Sequence, residues 1–169
     1  MSKAFTKESD GSFDAVIPEP KDLLPEGLKN YVTPEGAEAL RSHLRHLEEE
    51  VRQEVARAKR QIEARSLLAA IDRRARFLRE RIANMVVVDP EKQERDSVRF
   101  GARVGVADEE GNKKFYQIVG VDESEPTRGK ISWISPIAKA LISARVGDVV
   151  TLELPDGDVE LEILSIQYG

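Results

Sequence analysis

Two groups of residues have the types and spacing to do chemistry. His43 and His46 stand three apart, and Arg57, Lys59, Arg60 and Arg65 crowd a short stretch further along. A histidine pair at that spacing on a helix can share a metal ion, but it needs further ligands, and neither carboxylates nor thiols support this pair, so no metal site is read here. The basic stretch runs Arg57, Ala58, Lys59, Arg60, Gln61, Ile62, Glu63, Ala64, Arg65, four basic residues against one acid, a net of +3. It suits contact with RNA, a nucleotide or an acidic wall, and equally an ordinary solvated helix end. The absence of cysteine removes disulfides, thiol nucleophiles and Cys-ligated zinc together. No cofactor is implied, and the chain is read as a binding protein and not an enzyme.

Helices must position both groups. Thr33, Pro34 and Glu35 form a helix start: a hydroxyl to cap free N–H groups, a proline with preset φ, and an acid at the positive end of the dipole. Leu40, Leu44, Leu47, Val51, Val55, Ala58 and Ile62 then trace one apolar stripe, and Leu67, Ile71, Ala75, Leu78, Ile82 and Met85 a second. An antiparallel hairpin pairs Leu44 with Ile82, Leu47 with Leu78 and Val55 with Ile71. It reverses near residues 60–65, with Ser66 as cap of the second arm. No Gly, Pro or Asn marks that turn, and the pattern alone equally allows one helix of about 50 residues, roughly 75 Å long, that needs a partner chain. Arg73, Arg74, Arg76, Arg79 and Arg81 on the second stretch balance Glu48, Glu49 and Glu50 on the first.

Residues 90–97 are a polar break, and beyond Val98 the period shortens to two. Strands are expected at Arg103–Val106, Phe115–Val121, Ile131–Trp133, Val149–Leu154 and Val159–Ile166, the last two joined by Pro155-Asp156-Gly157-Asp158. Ser135-Pro136 opens a helix over Ile137–Ser143. The fold class is therefore α+β: helices first, then an antiparallel sheet carrying one helix. The expected organisation is a flexible leader at 1–30, a helical hairpin at 31–89, a linker at 90–97 and a second domain at 98–169.

Charge divides the same way. The chain carries −5 overall, but residues 33–89 hold twelve Lys/Arg against ten Asp/Glu, and residues 98–169 hold eight against twelve. Non-specific binding to a polyanion is disfavoured. No signal peptide and no run of about 18 apolar residues is seen, so the expectation is a soluble, cytoplasmic protein with no membrane partner.

Several strings resemble one family. Val98-Arg99-Phe100-Gly101, Ile118-Val119-Gly120-Val121-Asp122-Glu123, Gly129-Lys130-Ile131-Ser132 and Ser135-Pro136-Ile137-Ala138-Lys139-Ala140-Leu141 resemble the GreA/GreB transcription factors in order and spacing. Gly147-Asp148 and Ile166-Gln167-Tyr168 continue the match. Tyr31-Val32-Thr33-Pro34-Glu35-Gly36 is similar to the family's opening. Ile71-Asp72-Arg73-Arg74-Ala75-Arg76-Phe77-Leu78 and Val88-Asp89-Pro90 resemble the GreB branch.

The resemblance implies an N-terminal antiparallel coiled-coil hairpin followed by an FKBP-like domain, which favours two helices over one. It also implies a partner, bacterial RNA polymerase, gripped at the rim of its secondary channel by the C-terminal domain while the coiled coil reaches inward. Ser135, Pro136 and Lys139 match the docking region, whereas Ile134 stands where the family has a polar residue. Asp122 and Glu123 match too and are given only a surface role. Trp133 is expected to pack under the helix that follows it.

In the family, an acidic pair on the hairpin tip helps the polymerase hold Mg²⁺ and hydrolyse its own backtracked RNA. Two-metal hydrolysis needs hard anionic oxygens. Here the tip residues Arg57, Lys59, Arg60, Glu63 and Arg65 supply one acid among four bases, and the hairpin is about a dozen residues shorter, a reach about 10 Å less. The expectation is a monomeric regulator that binds polymerase without stimulating cleavage. One alternative is a true cleavage factor using Glu54 and Glu63; another is a coiled-coil adaptor or isomerase-like chaperone.

Overall fold

The structure, a computed structural model, describes residues 19–57 and 61–169, with the backbone alone for 61–63. A short strand β1 (Asn30–Val32) leads into helix α1 (Pro34–His46), a π-helical segment (Leu47–Val51) and α2 (Arg52–Ala56), which together make one continuous arm. The returning arm is α3 (Gln61–Asn84), followed by β2 (Met85–Val87). Thr33 caps α1 as its position before Pro34 suggests: its hydroxyl accepts from the Gly36 N–H at 3.0 Å. The arms run antiparallel, since Glu48 pairs with Arg79 and Arg52 with Asp72 across them.

Val32, Ala37, Leu40, Leu47, Val55, Ile71 and Leu78 form the buried seam of this pair, with Leu44, Val51, Leu67 and Ile82 packed beside it. The π-helical segment keeps the seam aligned. Leu47 and Val55 are eight residues apart, and eight α-helical residues overshoot two turns by about 80°. One residue absorbed in a wide turn removes that overshoot, so both side chains reach the seam, each 5% exposed.

Two expectations about the hairpin are corrected. α3 already begins at Gln61, so residues 61–65 belong to the returning arm and not to the expected reversal at 60–65, and Ser66 lies exposed inside α3 and is not its cap. The chain between 1 and 30 is also not uniform. Residues 1–18 lie outside the described ones, while Asn30 is a buried strand residue that pairs in parallel with Met85. The stretch Met85–Val87, which shows no period in the sequence, supplies the partner strand, and Val88 N–H donates to the Val32 carbonyl.

The second half is a five-stranded sheet. Its strands are β3 (Arg103–Asp108), β4 (Lys113–Val119), β5 (Lys130–Ser132), β6 (Val149–Leu152) and β7 (Val159–Gln167), in the order β5-β4-β3-β7-β6. Pairing is antiparallel except between β4 and β5, which run parallel, a departure from the expected all-antiparallel sheet. The Pro126–Arg128 turn and Gly129 carry the chain back to start β5 alongside β4 in the same direction. Helix α4 (Pro136–Leu141) is shorter than expected, and Ser143, placed inside it from sequence, instead has φ +74°. Val98, Val104, Val106, Ile118, Ala138, Leu141 and Ile163 fill the core between α4 and the inner face of the sheet.

Candidate functional site

Three places concern function: the start of α4, the far end of the helical pair, and the joint between the pair and the sheet. At α4, the Ser135 hydroxyl accepts from the Ala138 N–H at 3.3 Å and is thereby committed to capping. Pro136 and Lys139 are exposed, and Ile134 is half-buried with its N–H directed to the Ser132 hydroxyl at 3.4 Å. Beside them opens a shallow groove of about 210 Å³, lined by Val106, Tyr116, Leu152 and Leu161 of the inner sheet face and by Ile137 of α4. Trp133, expected to pack under α4, lies against the core cluster that Ala138 and Leu141 of that helix share with the sheet, and its ring meets Tyr31 in a T-shaped contact at 5.2 Å.

At the far end, Arg57 and Arg65 are exposed. Lys59 and Arg60 lie outside the described residues, and Glu63 falls in the first turn of α3 by its backbone. Of the arginines expected to balance the glutamates, Arg79 does so with Glu48, while Arg81 points elsewhere. His46 meets Glu50 at 2.9 Å. Partial burial, then the positive charge of Arg74 and His46, lowers the pKa of His43 below the ordinary histidine value. Among the described residues no group of three or more His, Cys, Asp or Glu side chains is placed to hold a metal ion. No helix among them is long and apolar enough to cross a membrane.

The joint is what sequence reasoning missed. Glu123, assigned to the surface from sequence, is half-buried and accepts three hydrogen bonds: from the Thr33 N–H at 3.0 Å, the Gly120 N–H at 3.0 Å and the Thr33 hydroxyl. Its carboxyl lies so close to α1 that a Cβ on Gly36 would sit 2.1 Å from the Glu123 Cδ. A glycine is required there by contact and not by φ.

Next to it, the Asp122 carboxylate accepts from Arg81 at 3.1 Å, and Asp22 meets the same guanidinium at 3.3 Å. The Arg81 side chain is only 7% exposed and lies over the Phe77 ring. Burying that charge is tolerable because it is paired. Asp122 and Glu123 therefore hold the helical pair to the sheet from the turn that follows β4. Where the chain enters the sheet domain, the Tyr168 hydroxyl donates to the Ser97 carbonyl at 2.6 Å and accepts from the Arg99 N–H at 2.9 Å. Burial raises its pKa.

A family model for the C-terminal part of the GreA/GreB transcription elongation factors matches residues 92–168. Transcription elongation factor GreB of Neisseria meningitidis serogroup B is 42% identical over 154 residues, covering 83% of this chain and 94% of that protein. The chain belongs to the GreA/GreB family. This Gre factor is also 37% identical to GreB of Yersinia pestis over 152 residues, covering 82% of the chain and 89% of its relative. GreA of Acidiphilium cryptum is 38% identical over 152 residues, covering 82% and 97%. The stretch aligned to the Neisseria protein spans 154 positions, whereas 83% of 169 residues is about 140. About 14 aligned positions thus have no counterpart in this Gre factor.

Proposed function

We propose that this Gre factor is a non-enzymatic regulator that binds bacterial RNA polymerase at the secondary channel and does not stimulate transcript cleavage. The observation that carries this reading is the composition of residues 57–65: four basic side chains, one acid, and no acidic pair to deliver to a Mg²⁺ ion. The shortfall of about 14 aligned positions is of the same size as the dozen residues by which the hairpin is read as short. On this reading the helical pair is a short coiled coil, the sheet and α4 are an FKBP-like docking domain, and the protein works in the cytoplasm as a monomer. Ile134, Pro136, Lys139 and the groove beside Ile137 make the contact with polymerase, and Ser135 shapes it through its cap. The tip, through Arg57, Lys59, Arg60 and Arg65, meets acidic channel walls, RNA or an incoming nucleotide at the channel mouth.

The test is a stalled, backtracked transcription complex. The expected result is no short RNA released on adding the protein, under conditions in which a GreB from another species releases it. Release of short RNA would instead establish the alternative, a working cleavage factor that uses Glu54 or Glu63. Core polymerase retained on the immobilised protein is the companion expectation. Failure of that capture, with the Neisseria relative as positive control, removes the docking reading altogether.

A further inference from the structure

The outer face of the sheet, opposite the α4 groove, carries an aromatic side chain that the fold does not bury. Phe115 on β4 is 55% exposed. It stands opposite Gly105 on β3, which in turn stands opposite Ser165 on β7. A Cβ on Gly105 would lie 3.0 Å from the Phe115 Cε1 and 2.6 Å from the Ser165 Oγ, so the ring rests on a strand whose missing side chain makes room for it. The Arg103 guanidinium sits 5.4 Å from the ring centroid. Around this pair the same face presents Gln117 and Gln167, both in register with Arg103, and Lys113, with Glu162 as the acid in the Lys113 row. Among the described residues neither Arg103 nor Lys113 forms an ion pair, although the domain as a whole has a net charge of −4 over residues 98–169.

We propose that this face binds single-stranded RNA, with one base stacked on Phe115, its phosphates beside Arg103 and Lys113, and its ribose within reach of Gln117, Ser165 and Gln167. An open antiparallel sheet with an exposed ring is a stacking platform, because every base has a π-face and a flat ring costs little entropy to fix. Two unpaired cations in an acidic domain supply local attraction for phosphate where the domain otherwise repels it. Neutral side chains that both donate and accept suit the ribose 2′-hydroxyl, the group that separates RNA from DNA. A purely structural part for Phe115, covering Gly105, explains why an apolar side chain is present, but any large aliphatic residue serves that purpose. The face lies on the side of the sheet away from the α4 groove, so its use is independent of polymerase docking.

The experiment is fluorescence anisotropy of a labelled oligouridine with the full chain and no polymerase, alongside thermal denaturation of each variant. Wild-type protein is expected to bind, with affinity falling about tenfold between roughly 50 and 250 mM salt, as two phosphate contacts on a single strand require. Phe115→Leu keeps the cover over Gly105 and is expected to weaken binding about tenfold with unchanged melting. Phe115→Tyr is expected to bind as wild type, and Arg103→Gln to flatten the salt dependence. No binding by the wild type at low salt overturns the proposal, as does a Phe115→Leu variant that binds normally. Equal binding of the oligothymidine counterpart overturns the assignment to RNA. Because polymerase is absent from the assay, none of these results bears on docking.

Discussion

Among the described residues, the helical pair is held at its base in a way that nothing matches at its far end. Around Val32, the chain is buried, a parallel strand pair closes the two arms, Glu123 accepts three hydrogen bonds, and a guanidinium is sealed between Asp122, Asp22 and a phenylalanine ring. Arg57 and Arg65 stand in solvent, and a cross-arm ion pair on the way to them, Arg52 with Asp72, is itself about half exposed. Exposed pairs of that kind contribute about 0–1 kcal/mol. Stability and orientation are thus concentrated at the base, which leaves the residues at the far end free to be chosen for what they touch.

The strongest way to break this contrast is at Arg81. Arg81→Ala strands the Asp122 carboxylate and is expected to cost about 3 kcal/mol, lowering the melting temperature by roughly 6–12 °C. Arg81→Met, which restores volume without charge, should recover part of that loss. A melting temperature unchanged in the alanine variant would show that the base is not the anchor.

Gly36→Ala sharpens the comparison through its sign. Replacing a helical glycine by alanine ordinarily stabilises by about 0.4–1 kcal/mol. Here the new methyl meets the Glu123 carboxyl, and a loss of about 2 kcal/mol is expected from the urea midpoint. Glu123→Ala should cost a similar amount, and the double variant clearly less than the sum. Full additivity would mean that the two residues do not act on one contact.

The smallest expected change in stability is at the other end. Arg57→Glu combined with Arg65→Glu should move stability by no more than about 0.5 kcal/mol, while altering transcript yield in a reconstituted polymerase reaction. A large drop in melting temperature there would erase the distinction between base and tip.

What sequence reading recovers follows the same division between local and distant causes. Thr33 and Ser135 announce their helices because a cap acts on N–H groups three residues away, and the β6–β7 hairpin is visible because its turn chemistry is contiguous. The deficit of acids at 57–65 is likewise plain from composition, although Lys59 and Arg60 lie outside the described residues. Glu123 is different. Its principal partner, Thr33, is 90 positions away, and nothing beside it separates a buried latch from a solvated acid. β1 and β2 escape detection for a related reason, since three-residue strands carry no period and their pairing closes a span of more than fifty residues. Residues 61–65, helical in the structure, read as part of the turn because no turn-forming residue marks the reversal, and the outward face of Phe115 reads as one more apolar position in a strand.

The wide turn at Leu47–Val51 has a consequence for how this arm tolerates change in length. It holds one residue of surplus chain. Removing any one of Glu48, Glu49 or Glu50 leaves an ordinary α-helix in which Leu47 and Val55 are seven apart, and seven residues fall within about 20° of two full turns. The arm can therefore shed a single residue at this point without rotating its outer half away from α3. Losing a second would swing that half out of alignment, so the helix carries slack for one step and no more.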